Sequence, residues 1–324
     1  MIEVLKHGLE TSVQEMPGRI GYWEQGFPPS GPADDWSFRL ANLLVGNAPE
    51  TAALESQFLG PTLRFGRDAC VAVTGADIAL SLDGVAVPLW HTLTVRAGQV
   101  LACGAARTGA RSYIAVSGGI DTEAVLGSRA TFHMAGIGGL GSGAVKSGQS
   151  LPLGPAGDAV QLRCVRDDAR PPIGDASLEV AAMLGPNDSW LDAKAIETFF
   201  SSEWVVQARS NRTGIRLTGP EFSFAARAYD KRPEHGSDPS NILDHGYPIG
   251  AISVAGQTPI VLLNDSPSTG GFINPFTVPS GALWRLGQAR PGEKLRFRQV
   301  SMDEAHILRA YVEGLCTAAS LADL

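Results

Sequence analysis

The stretch GRIGYWEQGFPPSGPADDWSFRLANLLVGN, residues 18–47, joins a rigid turn to the start of a helix. Its segment Pro28–Pro32 cannot be helical, because prolines fix φ and remove backbone N–H donors. Gly46 stands where a glycine commonly ends a helix. Between the two, apolar side chains recur at helical spacing, at Trp36, Leu40, Leu43 and Leu44. The pattern predicts a strand near residues 21–26, then a stiff loop, then a short helix.

The stiff loop is a candidate ligand-binding feature. A loop that leads into a helix N-terminus presents free N–H groups and the positive end of the helix dipole. Ser30, Gly31 and Asp34 are therefore candidates for binding an anion or a developing oxyanion through their backbone N–H groups. The alternative is that Asp34 or Asp35 only caps the helix, which is the commoner role for an aspartate in this position.

Composition narrows the class of protein. The chain has 324 residues, with 38 glycines and 21 prolines, a content typical of many tight turns between short strands. The net charge is −7, and no segment is rich in lysine and arginine. A nucleic-acid partner is therefore not expected. The four cysteines are scattered without C-x-x-C spacing, which favours buried free thiols over disulfides or zinc ligands.

No segment has the features of a targeting or membrane-spanning sequence. The first ten residues, MIEVLKHGLE, lack the apolar core of a signal peptide, and no apolar run approaches the length of a membrane span. We therefore expect a cytoplasmic protein with no membrane partner.

The remaining pattern is a succession of short strands. Asp83-Gly84 lies between two apolar runs and is a strong hairpin signal. The charged, proline-bearing segment 165–175 is the predicted linker between domains 1–165 and 176–324. Each half offers strands, one early helix and a glycine pair interpreted as a loop, and the second half ends in a predicted helix at 305–315. Two similar β domains in tandem account for this repetition.

Several side chains are candidates for chemistry. Six histidines occur without metal-ligand spacing, so no metal site is expected. His245 is a candidate general base, although a solvated surface histidine is the commoner case. The segment 266–272 combines hydroxyls and glycines, which suits oxyanion stabilisation. Arg129 and Arg212 could each clamp a carboxylate, with an ordinary salt bridge as the alternative.

Longer motifs carry a resemblance to a known family. The chain resembles the biotin-dependent carboxyltransferase family, which includes the carboxyltransferase domain of urea carboxylase and urea amidolyase, allophanate hydrolase subunit 2 and the C subunit of 5-oxoprolinase. Besides residues 18–47, the resemblance rests on GPTLRF (60–65), VTGAD (73–77), SYIAVSGGID (112–121), LGSRATF (126–132), SNRTGIRLTGP (210–220), DSPSTGGFINP (265–275) and LGQARPGEKLRF (286–297).

The resemblance implies a mainly β fold with few short helices, arranged as two tandem cyclophilin-like β-barrel domains. It also implies a subunit-1-like partner of the allophanate hydrolase type, and in the urea carboxylase case a biotin carboxylase and a biotin carrier. Biotin would then be attached to a partner carrier protein, and ATP would be used by a partner subunit. The chain has no M-K-M carrier sequence and no ATP-binding module.

The same resemblance implies roles for individual residues. Transfer of a carboxyl group from carboxybiotin to urea or a related small amide or guanidine compound places negative charge on the biotin ureido oxygen. The backbone N–H groups of Gly270 and Gly271, helped by Ser268, are expected to stabilise that charge. Asp265 and Asn241 are candidates for orienting an amide-like substrate.

Two other functions share the resemblance. One is the C subunit of ATP-dependent 5-oxoprolinase, whose members tend to carry a Thr-Thr-Gly-Gly-Tyr-Pro-Lys segment. The matching residues 268–275 read STGGFINP and contain no lysine, which is closer to the urea carboxylase pattern. The other is a non-catalytic Kip-type regulator that binds a kinase inhibitor.

Overall fold

The chain divides into two compact units. The computed structural model describes residues 1–141, 143–155, 160–174 and 178–324. The first unit comprises Met1–Tyr22, Pro29–Gly174 and Val312–Leu324, and the second comprises Trp23–Pro28 and Asp175–Tyr311. The C-terminal residues thus group with the first unit, whereas the sequence-based boundary assigned them to the second domain.

Strands and one helix make up the first unit. The helix α1 spans Asp35–Leu44. The strands are β1 (Ile2–Lys6), β2 (Ser12–Gln14), β3 (Ala53–Gln57), β4 (Thr62–Phe65), β5 (Ala69–Leu82), β6 (Val85–Ala86), β7 (Leu93–Val95), β8 (Val100–Val116), β9 (Ser150–Leu151), β10 (Arg163–Val165) and, from the C-terminal segment, β19 (Leu321–Asp323).

Two long strands organise the sheet of the first unit. The order is β2-β3-β8-β4-β1-β9, and β5 pairs with β6, β7 and β8. The first half of β8 pairs with β4 and its second half with β3, while β5 follows it along its length. Gly75 lies where the pairing of β5 with β8 becomes irregular: its φ is +91°, and a Cβ there would lie 2.3 Å from the Arg111 carbonyl oxygen. This unit is a half-barrel.

Residues 18–47 contain a helix where the sequence predicts one. Helix α1 begins after Asp34 and is followed by Gly46, whose φ is +72°. The predicted strand at residues 21–26 is wrong: Trp23–Gln25 form a 3₁₀ turn. Pro28 and Pro29 follow after two residues, and because proline has no N–H donor they cannot continue a sheet ladder.

The second unit contains the strands β11 (Leu178–Leu184), β12 (Trp204–Val206), β13 (Gly214–Thr218), β14 (Asn241–Gly246), β15 (Ala251–Ala255), β16 (Thr258–Leu262), β17 (Thr269–Thr277) and β18 (Lys294–Gln299). Its helices are α2 (Ala193–Ser201) and α3 (Leu283–Gly287). Helix α4 (Met302–Leu315) starts in this unit, and its last four residues group with the first.

Seven of these strands close into a barrel. The order β11-β18-β12-β13-β16-β15-β17 returns to its start because β17 also pairs with β11, at Met183–Thr277 and Leu184–Phe276. Strand β14 pairs with β17 outside the ring. The closed barrel and the half-barrel confirm the prediction of two tandem, mainly β, barrel domains.

Aromatic stacking fills the core of the second unit. Phe199 on α2 is fully buried, and its ring centroid lies 3.7 Å from that of Phe276 and 4.5 Å from that of Phe297, both nearly parallel to it. Trp204 and Phe222 stack on each other beside it. Phe199 is therefore the side chain of α2 that stacks most closely on the rings of the barrel core.

Replacing that side chain tests the packing. We expect Phe199→Ala to lower the free energy of unfolding by about 3–5 kcal/mol, because it leaves a cavity between two aromatic rings. The measurement is chemical denaturation followed by circular dichroism. Phe200→Ala, which removes the half-buried neighbouring ring, is the matched control and should cost less. Equal losses in the two variants would contradict the central position of Phe199.

Candidate active site

The strand pair β14–β17 brings four of the predicted site residues together. Asn241 is aligned with Phe272, and His245 with Gly270. The register is irregular between Asn241 and His245, and Gly271 lies opposite this irregularity. The prediction that residues 266–272 form a loop is wrong for their second half: the loop ends at Ser268, and both glycines belong to β17.

The ring of Tyr247 lies so close to the backbone at position 270 that only glycine fits there. A Cβ on Gly270 would lie 2.4 Å from Cε2 of Tyr247. No side chain fits there without moving the ring. Gly271 is less restricted, since a Cβ there would lie 3.0 Å from Asp244 Oδ1 and 3.1 Å from the Ile242 carbonyl oxygen.

Tyr247 and His245 are both anchored on the peptide groups of Phe272. The Tyr247 hydroxyl accepts a hydrogen bond from the Phe272 N–H (2.7 Å) and donates to the Phe272 carbonyl oxygen (3.2 Å). His245 Nε2 lies 2.9 Å from the same carbonyl oxygen. The two rings meet edge to face, with centroids 5.3 Å apart. Tyr247, the residue after β14, was absent from the sequence-based candidates, because the segment before it has no alternating apolar pattern that would place it beside His245.

This anchoring selects the tautomer of the neutral His245 ring and uses the Tyr247 hydroxyl as a donor. Because a carbonyl oxygen only accepts, His245 Nε2 carries the hydrogen, and in the neutral ring Nδ1 is the acceptor. Within the described part of the chain, Nδ1 makes no hydrogen bond. Burial raises the pKa of the Tyr247 hydroxyl, so it remains a donor at neutral pH.

Two predicted residues, Arg212 and Asp265, bind each other. Arg212 Nε lies 3.0 Å from Asp265 Oδ2, and Nη2 lies 3.2 Å from Oδ1. Their side chains are only 5% and 3% exposed. The Asp265 N–H also donates to the Arg212 carbonyl oxygen at 3.1 Å. This bidentate pair fixes the turn before Ser268, as in the salt-bridge interpretation of Arg212.

Two buried polar side chains nearby in the chain have no such partner. Ser266 Oγ, and both Oδ1 and Nδ2 of Asn274, are buried without a hydrogen bond to any described residue. The Asn274 backbone is held by Asn187, whose Oδ1 accepts from the Asn274 N–H at 2.8 Å. Buried polar atoms are costly to leave unsatisfied, so water or a ligand is expected to bind them. Asn274 was missed from the sequence because an asparagine within a strand carries no positional signal.

The loop of Ser30, Gly31 and Asp34 lies in the other unit, and its N–H groups donate inward. Gly31 donates to Gln14 Oε1 (3.0 Å), and the Asp34 N–H donates to the hydroxyl of Tyr113 (2.8 Å). Asp34 itself accepts from the Ser37 N–H and hydroxyl (3.0 and 2.6 Å) and caps α1. Ser30, with φ of +59°, precedes these donors and is buried. This geometry favours the capping interpretation.

Arg129 also lies in the first unit. Its Nη2 is 2.8 Å from Asp121 Oδ1, its Nη1 is 3.9 Å from Glu15 Oε2, and its side chain is 35% exposed. It holds two segments of the unit together, as in the salt-bridge interpretation.

No group of three His, Cys, Asp or Glu side chains suited to a metal ion occurs among the residues described. In that same part of the chain, no helix is long and apolar enough to cross a membrane.

The buried pair gives a direct stability test. We expect Asp265→Asn to lower the free energy of unfolding by about 3–5 kcal/mol, because it leaves the Arg212 charge buried and uncompensated. Chemical denaturation at neutral pH is the measurement. Glu203→Gln, which removes an exposed carboxylate from its contacts with Lys294 and Arg296, is the control and should have a much smaller effect. A small loss for Asp265→Asn would show that the pair does not hold the turn.

Comparison with known proteins identifies the family. The family profile "Carboxyltransferase domain, subdomain A and B" matches residues 25–299. Urea amidolyase of Saccharomyces cerevisiae is 36% identical over 315 residues, which are 95% of this chain and 17% of that protein. The C subunit of 5-oxoprolinase from Escherichia coli is 34% identical over 308 residues, which are 94% of this chain and 93% of that protein.

A solved structure agrees with the sequence comparisons. The crystal structure of Kluyveromyces lactis urea carboxylase superposes with a TM-score of 0.91 at 35% identity, over 100% of this chain and 30% of that one. The chain thus spans less than a third of that protein and about a sixth of the yeast urea amidolyase. These matches confirm the resemblance found in the motifs, and the chain belongs to the family of the carboxyltransferase domain, subdomain A and B.

Proposed function

We propose that this chain is a carboxyltransferase subunit that transfers a carboxyl group from carboxybiotin to urea or a related small amide or guanidine compound. The observation that carries the proposal is the His245–Tyr247 pair, whose side chains both hydrogen-bond to the Phe272 carbonyl oxygen, beside Gly270 and Gly271. The likeness to urea amidolyase and urea carboxylase supports it.

The residues present are suited to a ureido ring and a small amide. Gly271 leaves room at the strand surface that a side chain would occupy, with only Asp244 Oδ1 and the Ile242 carbonyl oxygen near the position of a Cβ. The unpartnered polar atoms of Ser266 and Asn274 can bind N–H and C=O groups. Carboxybiotin, when bound, supplies the carboxyl group.

The proposed roles follow from the hydrogen bonds. His245 Nδ1 is positioned to accept a proton from the substrate nitrogen, because Nε2 is held by the Phe272 carbonyl oxygen. Tyr247 holds the peptide groups on both sides of Phe272 in place. Gly270 and Gly271, with Ser268, remain the proposed donors to developing negative charge, and Asn241 remains a proposed amide contact. Asp265 acts through its contact with Arg212, by holding the turn that precedes Ser268.

The cycle requires other polypeptides. We propose a subunit-1-like partner, a biotin carboxylase that uses ATP, and a biotin carrier, all acting in the cytoplasm. We also propose that ligand or partner contacts the first unit at Ser30, Gly31, Asp34 and Arg129. The hydrogen bonds and ion pairs observed for these residues are internal to that unit.

A second candidate is the C subunit of an ATP-dependent 5-oxoprolinase. It is favoured by the near-complete mutual coverage with the Escherichia coli protein. The deciding experiment is co-expression with a subunit-1-like protein, followed by assays of ATP consumption with urea, guanidine compounds and 5-oxoproline, with and without biotinylated carrier. Turnover that requires biotin supports the carboxyltransferase. Turnover of 5-oxoproline without biotin supports the second candidate.

The variant Gly271→Leu tests most directly whether β17 belongs to the active site. The φ of Gly271 is not in the left-handed region, and Gly271→Leu requires Asp244 Oδ1 and the Ile242 carbonyl oxygen to shift by a few tenths of an ångström, so circular dichroism and thermal unfolding check that the variant is folded. We expect its kcat to fall on the order of 100-fold, because a misplaced reacting group has that effect. Gly314→Leu, where a Cβ meets nothing within 4 Å, is the control and should keep full activity. Unchanged turnover in Gly271→Leu would exclude β17 from the active site.

A further inference from the structure

We propose that a cavity beside Trp190, in the second unit, binds a small oxyanion. The cavity has a volume of about 490 Å³ and is lined by Trp190, Arg227, Asp230, Lys231, Arg232 and His235. None of these residues is used by the function proposed above.

The lining is predominantly cationic and lacks a compensating carboxylate in contact. Three of its side chains are basic and one is acidic. Among the residues that the structure describes, no carboxylate oxygen lies within 4.0 Å of the charged nitrogens of Arg227, Lys231 or Arg232. Asp230, and the Asp238 carboxylate that attracts Lys231 from a greater distance, offset part of this positive charge, and the remaining excess favours an anion.

Two of the basic groups are already held in place. Arg227 Cζ lies 5.0 Å from the centre of the Trp190 ring, and its Nη1 donates to Ser189 Oγ at 2.7 Å. Lys231 Nζ lies 5.7 Å from the same ring and donates to the carbonyl oxygens of Asp238 and Asn241, the latter at 2.8 Å. An ammonium group has three donors and a guanidinium five, so each retains donors for a ligand. Such preorganisation lowers the entropic cost of binding.

His235 supplies a separate indication. Its ring stacks on Trp190 with centroids 6.3 Å apart and an interplanar angle of 25°. Its Nδ1 is buried and has no hydrogen-bond partner among the described residues. The stacked ring lines the cavity, and its Nδ1 is a polar atom that the described residues leave unsatisfied.

Oxyanions fit this lining better than other ligand classes. The planar fork of an arginine matches the oxygens of a carboxylate or phosphate, and the cavity is large enough for a small organic acid. Burial lowers the pKa of the Lys231 ammonium, and a bound anion would favour its charged form again. Since Lys231 also holds the Asn241 carbonyl oxygen, an anion here would contact a residue that anchors the start of β14.

Calorimetric titration of the full chain tests the site. The probes are bicarbonate, inorganic phosphate and malonate, each titrated at low ionic strength. We expect saturable binding of at least one of them, weakened more than tenfold in Lys231→Gln and in Arg227→Gln. The preferred probe distinguishes a carboxylate ligand from a phosphate ligand. Thermal unfolding checks that each variant is folded.

Lys194→Gln is the matched control. Lys194 is an exposed lysine on α2 of the same unit and does not line the cavity, so its removal changes the net charge equally. We expect this variant to bind as the parent protein does. Absence of saturable binding of all three anions, or equal weakening in Lys194→Gln and Lys231→Gln, would overturn the proposal. The titration needs no turnover, so its outcome is independent of the carboxyltransferase assay.

Discussion

The hydrogen bonds between the Tyr247 hydroxyl and the peptide groups of Phe272 are the constraint on which the candidate site depends. Strand β14 departs from regular pairing between Asn241 and His245, and there the ladder cannot satisfy the backbone of β17. The phenol takes over that task by accepting from the N–H and donating to the carbonyl oxygen. Its ring must then lie against the preceding strand residues, which is why position 270 tolerates only glycine.

In the first unit, N–H groups of the loop before α1 donate to side chains of the unit itself, and these donors are not available to a ligand. Its proline- and glycine-bearing loop also presents N–H groups at a helix start, but buried acceptors reach them from neighbouring strands. Ala33 donates to Glu55 Oε2 at 2.9 Å, and the Tyr113 hydroxyl donates to the same oxygen at 2.8 Å. Arg111 lies 3.4 Å from the other carboxylate oxygen and balances its charge. Burial and the nearby Glu55 carboxylate raise the pKa of Tyr113 well above its usual value, so it stays a neutral donor.

Local pattern was sufficient to predict two mainly β domains in tandem, the resemblance to a family supplied the barrel architecture, and neither predicted the bonds within the candidate site. Helix α1, the Asp83-Gly84 hairpin and most strands follow from periodicity and turn residues, because these reflect interactions between near neighbours. The pairing of Arg212 with Asp265 joins residues 53 apart in the chain, and each was assigned a separate role from sequence. Strand β14 was not among the predicted elements, because its sequence NILDHG lacks an alternating apolar pattern.

The way each unit is closed has a consequence for how the chain acquires its structure during synthesis. The barrel closes through β11 and β17, and β18 must be inserted between β11 and β12, so the ring is not complete before residue 299 has been made. Strand β10 of the first unit waits still longer for its partner β19 at Leu321–Asp323. Long-range pairing of this kind slows folding and leaves strand edges exposed in the meantime. Both units are therefore candidates for chaperone protection until synthesis has passed these strands.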